Sequence, residues 1–287
     1  MEAPSPPLRS GIRSLLVMAA LLSAPTVAAG DDPPDRPDRP AEPQPAESRT
    51  TESQPPEEAP GDEPSVRPRV ELKRQLTNRG AVDETSRTTL RVELLLRSVV
   101  SVLRLDVPFV DKNNSFTSDP TNAGIGDLKT RVGFAPLPVP AAPLAFYVDF
   151  TFPTAADSLG QGKYILIPGV WASYRLPLSW RAPAVSFIPL VEQYIGVAGD
   201  PARAAVDSTK IEFKLEARWE HWLVSLNPKP LIDWTKGPST AAVLELEGDW
   251  EPTRHWRLWV KFGQRLWGTS LPTTYDELAE LGVRWTF

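Results

Sequence analysis

Six charged residues alternate with mostly apolar residues between Thr209 and Glu220. In an extended strand, successive side chains point to opposite faces, so one face of this segment carries only charges. Those charges are Lys210, Glu212, Lys214, Glu216, Arg218 and Glu220. In a helix the same charges would be spread around the axis. The segment therefore predicts a strand whose charged face can line an aqueous lumen.

The same alternation recurs in several other segments of the chain, and their charged faces supply further candidates for a lumen wall. The full set of candidates is Arg91, Glu93, Arg97, Arg104, Asp106, Lys129, Arg131, Asp149, Lys210, Glu212, Lys214, Glu216, Arg218, Glu245, Glu247, Asp249, Arg257, Lys261 and Arg265. Two interpretations fit them. The charges either solvate a polar transport pathway, or neutralise one another and fill a narrow, plugged lumen.

Alternation and turn signals together predict about twelve strands, an even number as bacterial barrels require. They are expected near residues 70–77, 88–97, 99–110, 124–135, 144–153, 163–176, 184–196, 208–220, 221–234, 240–251, 255–267 and 275–287. Pro168 and Pro189 fall inside two of these segments. Because proline has no N–H for a strand ladder, we expect a bulge or a strand boundary at each.

The fold class predicted is all-β: a closed antiparallel transmembrane β-barrel with its apolar face toward lipid. Such long strands are unusual in soluble sheets. Tryptophans near predicted strand ends are typical of an interfacial girdle. They are Trp219, Trp222, Trp234, Trp250, Trp256 and Trp267. In the last strand, Leu281, Val283, Trp285 and Phe287 share one face.

The chain divides by composition into three segments. Residues 1–29 read as a cleaved signal peptide, since Arg9 and Arg13 precede a short apolar run and small residues follow. Residues 30–69 are rich in proline and acidic residues and lack aromatic residues, which predicts a disordered linker. Residues 70–287 are expected to form the barrel. This order predicts export to the bacterial outer membrane.

Several other functions find little support in the sequence. The chain has no cysteine, and its net charge of −5 leaves no basic stripe for nucleic acid. Gly124-Ile125-Gly126 lacks the third glycine of a nucleotide site, and alternate carboxylates on one strand do not chelate one metal ion alone. His221 and His255 are the available imidazole bases, and Ser225 follows the first without a catalytic spacing signature. We predict neither an enzyme nor a cofactor nor a metal site.

Three short stretches carry a resemblance to a known family. They are Ala123-Gly124-Ile125-Gly126-Asp127-Leu128, Phe152-Pro153-Thr154-Ala155 and Gly160-Gln161-Gly162-Lys163. From about Leu90 to Phe287 the chain resembles outer-membrane proteins named for a phenol-degradation (MetA) pathway, although its proline-rich N-terminal region departs from them. The terminal strand also resembles the closing strand that serves bacterial outer-membrane barrels as an assembly signal.

These resemblances complete the functional expectation. The first implies a barrel that transports small, aromatic or hydrophobic compounds, and it carries over no catalytic residue. The second implies contact with the barrel-assembly machinery through the strand that contains Phe287. The other partners expected are outer-membrane lipid and a small-molecule solute. The alternatives are a plugged structural barrel without transport and an outer-membrane lipid-modifying enzyme.

Overall fold

The structure is a computed structural model. It describes residues 66–78, 84–113, 123–137, 143–156, 159–178, 183–268, 271 and 274–287. The predicted signal peptide and nearly all of the predicted linker lie outside the described residues. The first strand begins at Val66, slightly earlier than the start expected near residue 70. Within the described part of the chain, no helix has the length and apolar character needed to cross a bilayer.

Twelve long strands form one closed antiparallel barrel, as the alternation predicts. Each is hydrogen-bonded to its neighbours, and the last strand pairs with the first. Two further strands, β4 and β8, have two residues each and pair with β3 and β9. In chain order the strands are β1 Val66–Thr77, β2 Thr85–Leu96, β3 Val100–Asn113, β4 Gly124–Ile125, β5 Leu128–Phe134, β6 Leu144–Phe152, β7 Lys163–Ala172, β8 Tyr174–Arg175, β9 Ala184–Gly199, β10 Asp207–Arg218, β11 Trp222–Asp233, β12 Ser239–Thr253, β13 Trp256–Gly268 and β14 Glu277–Thr286.

The barrel turns its apolar face outward and its charged face inward. Leu246 and Val260 are each 50% exposed on the outside, whereas Asp149 and Asp249 inside are fully buried at 0%. A water-soluble barrel would place these residues the other way round. An apolar exterior around a charged interior is the pattern of a membrane barrel, because lipid replaces water on the outside.

The two ends of the barrel differ. The terminal end holds Val66 and Phe287, and the strands that end there are joined in sequence by residues 97–99, 135–143, 176–183, 219–221 and 254–255. The loop end holds the connections 78–84, 114–123, 153–162, 200–206, 234–238 and 269–276, which are longer on average. In outer-membrane barrels the longer connections are extracellular and the shorter turns periplasmic.

Most of the predicted girdle tryptophans lie near the two ends of the barrel, as an interfacial girdle requires. Trp222 stacks on Trp250 at the terminal end, with ring centroids 6.1 Å apart. Trp256 meets Trp285 edge to face there, at 4.2 Å. Trp267 is exposed at the loop end. Trp234 differs from the prediction, since its Nε1 donates to Thr209 Oγ1 at 2.9 Å.

The expected bulge or boundary at Pro168 and Pro189 is wrong, because both strands continue through these residues. Pro168 pairs with Val148 of β6. On the other side of β7, pairing with β9 stops after Leu166 and resumes in the same register at Gly169. Pro189 lies in β9, opposite the interval between β7 and β8. Each missing N–H therefore interrupts one ladder while the opposite ladder remains. We call this interrupted contact the β7–β9 seam.

A second interrupted contact lies between β10 and β11. Their pairing runs to Lys210↔Leu231 and resumes at Leu215↔Leu226, with no shift of register. The interval contains Pro228 and Pro230, whose pairing with β12 on their other side is continuous. Two missing N–H groups thus open a gap in the backbone ladder. We call it the β10–β11 seam. The fully paired β9–β10 hairpin lies between the two seams.

Candidate functional site: the charged lumen

A belt of ion pairs runs around the inside of the barrel near its middle. Each member lies within 4 Å of the next, and the two ends of the series, Glu71 and Lys73, both lie on β1. Its members, in order around the wall, are Glu71, Arg91, Asp106, Arg104, Asp149, Arg131, Glu192, Lys210, Glu212, Lys229, Glu245, Lys261, Glu280 and Lys73. We call this series the charged belt.

The ion pairs of the charged belt follow the wall and do not cross the lumen. Lys210 contacts Glu192 on the neighbouring strand β9 at 2.6 Å and Glu212 on its own strand β10 at 2.8 Å. The widest step is Arg131 to Glu192 at 3.8 Å, which passes over β6 and β7. Among the described residues, no ion pair joins strands on opposite sides of the barrel. The charges therefore line the interior without tying its opposite walls together.

Asp149 shows how densely the belt is connected. Its carboxylate is fully buried and receives Arg131 Nη2 at 2.8 Å and Lys129 Nζ at 2.7 Å. Arg104 Nη2 approaches the same carboxylate at 3.3 Å. Burial of a carboxylate is costly unless charged donors compensate for the lost water. Three cations supply that compensation here, so Asp149 anchors β3, β5 and β6 to one point.

A second group of charges lines the terminal half of the lumen. Arg257 contacts Asp249 at 2.8 Å and Glu247 at 3.4 Å. Lys214 lies 3.1 Å from Glu216, with Glu247 at 4.0 Å. These pairs lie within one strand or join strands that are neighbours or next neighbours. The charged lining thus extends from the belt to the terminal end.

Three aromatic side chains cross the wall over glycines and bond to carboxylates of the belt. Tyr147 on β6 lies over Gly169 on β7, where an added Cβ would come within 2.3 Å of the tyrosine ring. Its hydroxyl donates to Glu192 on β9. Glycine at position 169 therefore lets a side chain reach across β7, which carries no charge of the belt.

Tyr275 repeats this geometry across β13, whereas Trp259 reaches only the adjacent strand β14. The hydroxyl of Tyr275 lies over Gly263 and donates to Glu245 at 2.6 Å. The indole of Trp259 lies over Gly282, and its Nε1 donates to Glu280 at 3.1 Å. Each aromatic ring fills the space that a glycine leaves on the adjoining strand. Each also fixes one carboxylate of the belt.

A cavity of about 760 Å³ opens at the loop end, above the belt. Its lining includes five basic residues, two acidic residues, several hydroxyl groups and a group of apolar side chains. The charged residues are Lys73, Arg87, Arg91, Lys129 and Arg203, with Asp106 and Asp127. The size lies within the usual range for small-molecule pockets. A solute entering from the loop end would meet this cavity before the belt.

The three stretches that carry the family resemblance meet at the edge of this cavity. Asp127 accepts the backbone N–H of Ala155 at 3.2 Å and of Gln161 at 2.6 Å. Thr154 Oγ1 donates to the carbonyl of Gly126 at 3.2 Å. These bonds hold the connection 153–162 against the wall. As a result, Gln161 and its neighbours form part of the cavity lining.

The structure places most of the predicted lumen residues inside the barrel. Arg218 is the most exposed of those that form ion pairs, with 44% of its side chain exposed beside Glu251 at the terminal end. Glu93 pairs with Arg69 there at 3.5 Å, and Arg265 contacts Asp276 at the loop end. Arg97 is the exception, because it lies exposed in the turn after β2. Its assignment to the lumen wall was wrong.

Five members of the belt were missed by sequence reasoning. They are Glu71, Lys73, Glu192, Lys229 and Glu280. Glu192 lies in a mainly apolar segment, and Lys229 lies between two prolines, so neither stands in a clear alternating pattern. In β1 the alternation is blurred because Arg74 points outward to Asp111. The available signal was their position in the strand alternation, which places them on the face opposite the outward apolar side chains.

The residues weighed for catalysis are not assembled into a site. His221 lies in the turn 219–221, and its Nδ1 is 3.2 Å from the carbonyl oxygen of Glu251. His255 Nδ1 is 2.8 Å from the carbonyl oxygen of Thr286. Ser225 is buried in β11, and no hydrogen bond joins it to either imidazole within the described residues. In the same part of the chain, no cluster of three potential metal ligands occurs.

Comparison with known proteins gives similarity of fold. The COG4313 outer membrane channel from Pseudomonas putida F1 has a TM-score of 0.56 and 14% identity, over 80% of this chain and 99% of that chain. The NanC porin gives 0.54 and 8%, over 75% and 98%. The KdgM porin gives 0.51 and 7%, over 76% and 99%. No protein-family model and no curated protein matches the sequence. These three solved structures are outer-membrane channel and porin barrels.

Proposed function

We propose that this protein is an outer-membrane channel that passes small solutes through its charged lumen. The observation that carries the proposal is the course of the charged belt, whose ion pairs follow the wall and leave the opposite sides of the lumen unconnected. Charges arranged in this way can be solvated by water within the lumen. The fold shared with the COG4313 channel and the NanC porin supports this function.

The orientation and partners follow from the same proposal. The loop end faces the outside of the cell and the terminal end faces the periplasm, since longer connections are extracellular. Lipid contacts the apolar exterior, and the predicted signal peptide directs export. The terminal strand contacts the assembly machinery through its outward aromatic face. Its support is that Phe287 is 62% exposed, while its backbone N–H donates to Pro68 of β1 at 3.1 Å.

The alternative is a sealed structural barrel, which the density of the ion pairs favours. Buried pairs fix conformation, and removing one partner of such a pair is strongly destabilising. An open channel tolerates the same change better, because water can solvate the charge that is left. The two functions therefore predict different results when one lumen charge is reversed.

Lys214→Glu provides that test in planar lipid bilayers. The wild-type protein should give single-channel conductance steps, and Lys214→Glu should shift ion preference toward cations while the barrel stays folded. Lys214→Gln should give a smaller shift in the same direction, since it changes half as much charge. Reversal potentials in asymmetric KCl would measure all three proteins.

Phe213→Arg is the matched change on the opposite face of β10. Phe213 lies outside, stacked against Phe187 with ring centroids 6.4 Å apart. A charge there should cost roughly 2–4 kcal/mol near the midplane of the membrane. If the wild type does not conduct, and Lys214→Glu destabilises the barrel as much as Phe213→Arg does, the channel function is wrong. The protein is then a sealed barrel.

A further inference from the structure

The cavity at the loop end has two chemically different sides. Basic residues and hydroxyl groups lie on β1 and β2, including Lys73, Arg87 and Thr89. Apolar side chains lie on β7, four strand positions from β2, and on the connection that precedes β7. A cavity with one cationic side and one apolar side fits a ligand that carries an anion on an apolar body.

Arg87 is the cation that lacks a negative partner. Its Nη2 donates to Gln75 Oε1 at 2.7 Å, and its Nε has no hydrogen-bond partner. No ion pair joins it to any carboxylate in the described part of the chain. A buried guanidinium without a counter-charge is costly. A ligand carboxylate can accept two parallel hydrogen bonds from such a group.

The other charges around the cavity are already engaged. Arg91 holds Asp106 through two hydrogen bonds, at 2.8 Å and 3.0 Å. Lys129 contacts Asp149 at 2.7 Å. Asp127 is occupied by the backbone N–H groups that fix the connection 153–162. The acidic residues of the lining therefore do not neutralise Arg87, and the cavity keeps a positive charge for an incoming anion.

The apolar side is formed by residues that point inward, against the usual polarity of a lumen. Ile165 and Ile167 on β7 are 4% and 2% exposed, and Leu159 is 8% exposed. Val110 on β3 also lines the cavity, but it is the register partner of Arg87 and lies beside that cation. An open water-filled pore gains nothing from inward isoleucines, because apolar surface in contact with water is unfavourable. The parts of these side chains that face the cavity can contact an apolar or aromatic ring.

We infer that this cavity is a binding site for a small organic anion with an apolar or aromatic body, whose carboxylate is bound by Arg87. This inference deepens the proposed channel function, because it names the solute class that the loop end selects. The site captures the anion at the mouth, above the charged belt. A neutral aromatic compound lacks the group that Arg87 binds, and a short-chain anion lacks the body that the apolar side covers.

Isothermal titration calorimetry on the refolded full barrel in detergent tests the site without requiring conduction. The probes are benzoate, acetate and benzyl alcohol, which carry both features, the anion alone and the ring alone. Benzoate should bind at least about tenfold more tightly than either of the others, the factor expected from one charge-assisted hydrogen bond. Arg87→Gln should weaken benzoate by about tenfold and leave benzyl alcohol unchanged.

Arg74→Gln is the matched control. Arg74 lies on β1 near the same end, but it points outward and bonds Thr88 Oγ1 at 2.9 Å. The variant removes the same charge without touching the cavity, so benzoate binding should not change. Leu159→Ala should weaken benzoate and spare acetate. Heat-modifiable migration on gels verifies folding, and Arg87→Lys, which keeps the charge, replaces Arg87→Gln if the latter does not fold.

Two results would overturn the inference. The first is equal affinity for benzoate and benzyl alcohol in the wild type. The second is an Arg87→Gln, or Arg87→Lys, variant that binds benzoate as Arg74→Gln does. Neither result bears on the channel itself, because conductance in KCl is measured separately. Conversely, a barrel that does not conduct but binds benzoate through Arg87 would contradict the channel and keep the binding site.

Discussion

The closure between β14 and β1 and the β10–β11 seam differ in how completely their backbone N–H and C=O groups are paired. At the closure, nine consecutive pairs run from Arg69↔Thr286 to Thr77↔Leu278 without interruption. At the β10–β11 seam the ladder stops between Lys210 and Leu215. In the proposed membrane barrel both contacts face lipid, which cannot replace a missing backbone bond. The wall is therefore not uniform around its circumference.

Side-chain bonds take over where the backbone ladder is missing. Across the β10–β11 seam, Asn227 donates to Glu212 at 2.7 Å, and Lys229 lies 3.6 Å from the same carboxylate. Across the β7–β9 seam, Glu192 accepts the hydroxyl of Tyr147. Backbone bonds form with almost any residue, whereas these bonds need particular side chains. Substitutions should therefore be tolerated less well at the seams than at the closure.

The largest effect is expected from placing a proline in the continuous closure. Val283 pairs with Leu72 on β1 and with Leu258 on β13. Val283→Pro removes one N–H from an intact ladder and should lower the free energy of unfolding by several kcal/mol. Urea unfolding in lipid, followed by tryptophan fluorescence, measures this change.

Val283→Ala is the control for that variant, because it shortens the same outward side chain and keeps the N–H. It should cost much less than Val283→Pro. If the two variants are equally stable, the continuous ladder of the closure does not contribute as proposed, and the comparison with the seams loses its basis.

An intermediate effect is expected at the β7–β9 seam. Tyr147→Phe removes the donor that reaches Glu192 across β7, and it should cost about 1–3 kcal/mol because a buried acceptor loses its partner. Tyr194→Phe is the matched change, since its hydroxyl donates to the same carboxylate at 2.8 Å from the same strand. Urea unfolding and amide hydrogen exchange near Gly169 compare the two. Equal losses of stability and equal exchange would show that the bond across the seam has no special role.

The smallest effect is expected from repairing the β10–β11 seam. Replacing Pro228 and Pro230 by alanine restores two donors, worth about 0.5–1.5 kcal/mol each, but it loses about 0.4–1 kcal/mol each of proline rigidity. The net change in the free energy of unfolding should stay within about 2 kcal/mol. In this background Asn227→Ala should cost less than in the wild type, because the ladder then shares its role. A double-mutant cycle measures that coupling, and a coupling energy of zero would refute it.

The sequence predicted the barrel well because its main signal is local. Alternation within one segment, such as Ile211 to Leu215, identifies the strand and divides its side chains between two faces. All twelve predicted strands coincide with strands of the structure. The orientation of Lys210 and Glu212 toward the interior followed from the prediction of a membrane barrel, which rested on long strands and on tryptophans near strand ends.

What the sequence did not reveal depends on contacts between distant segments. Tyr147 reaches Glu192 because Gly169 on a third strand leaves room, and no local pattern encodes that register. Arg87 could not be singled out as unpaired until its neighbours were known. Pro168 was predicted to disturb its own strand, but it disturbs the ladder to one neighbour instead, because only one of its two backbone sides lacks a donor.

The charged belt has a consequence for the electric field inside the barrel. Its seven carboxylates and seven cations add up to no net charge around the ring. Opposite charges spaced a few ångströms apart cancel one another at distances larger than their spacing. An ion on the axis would therefore feel little field from the belt, although an ion against the wall would feel each charge in turn. The belt makes the lumen wall polar without giving it a sign, and any preference for one sign must arise from charges that have no partner.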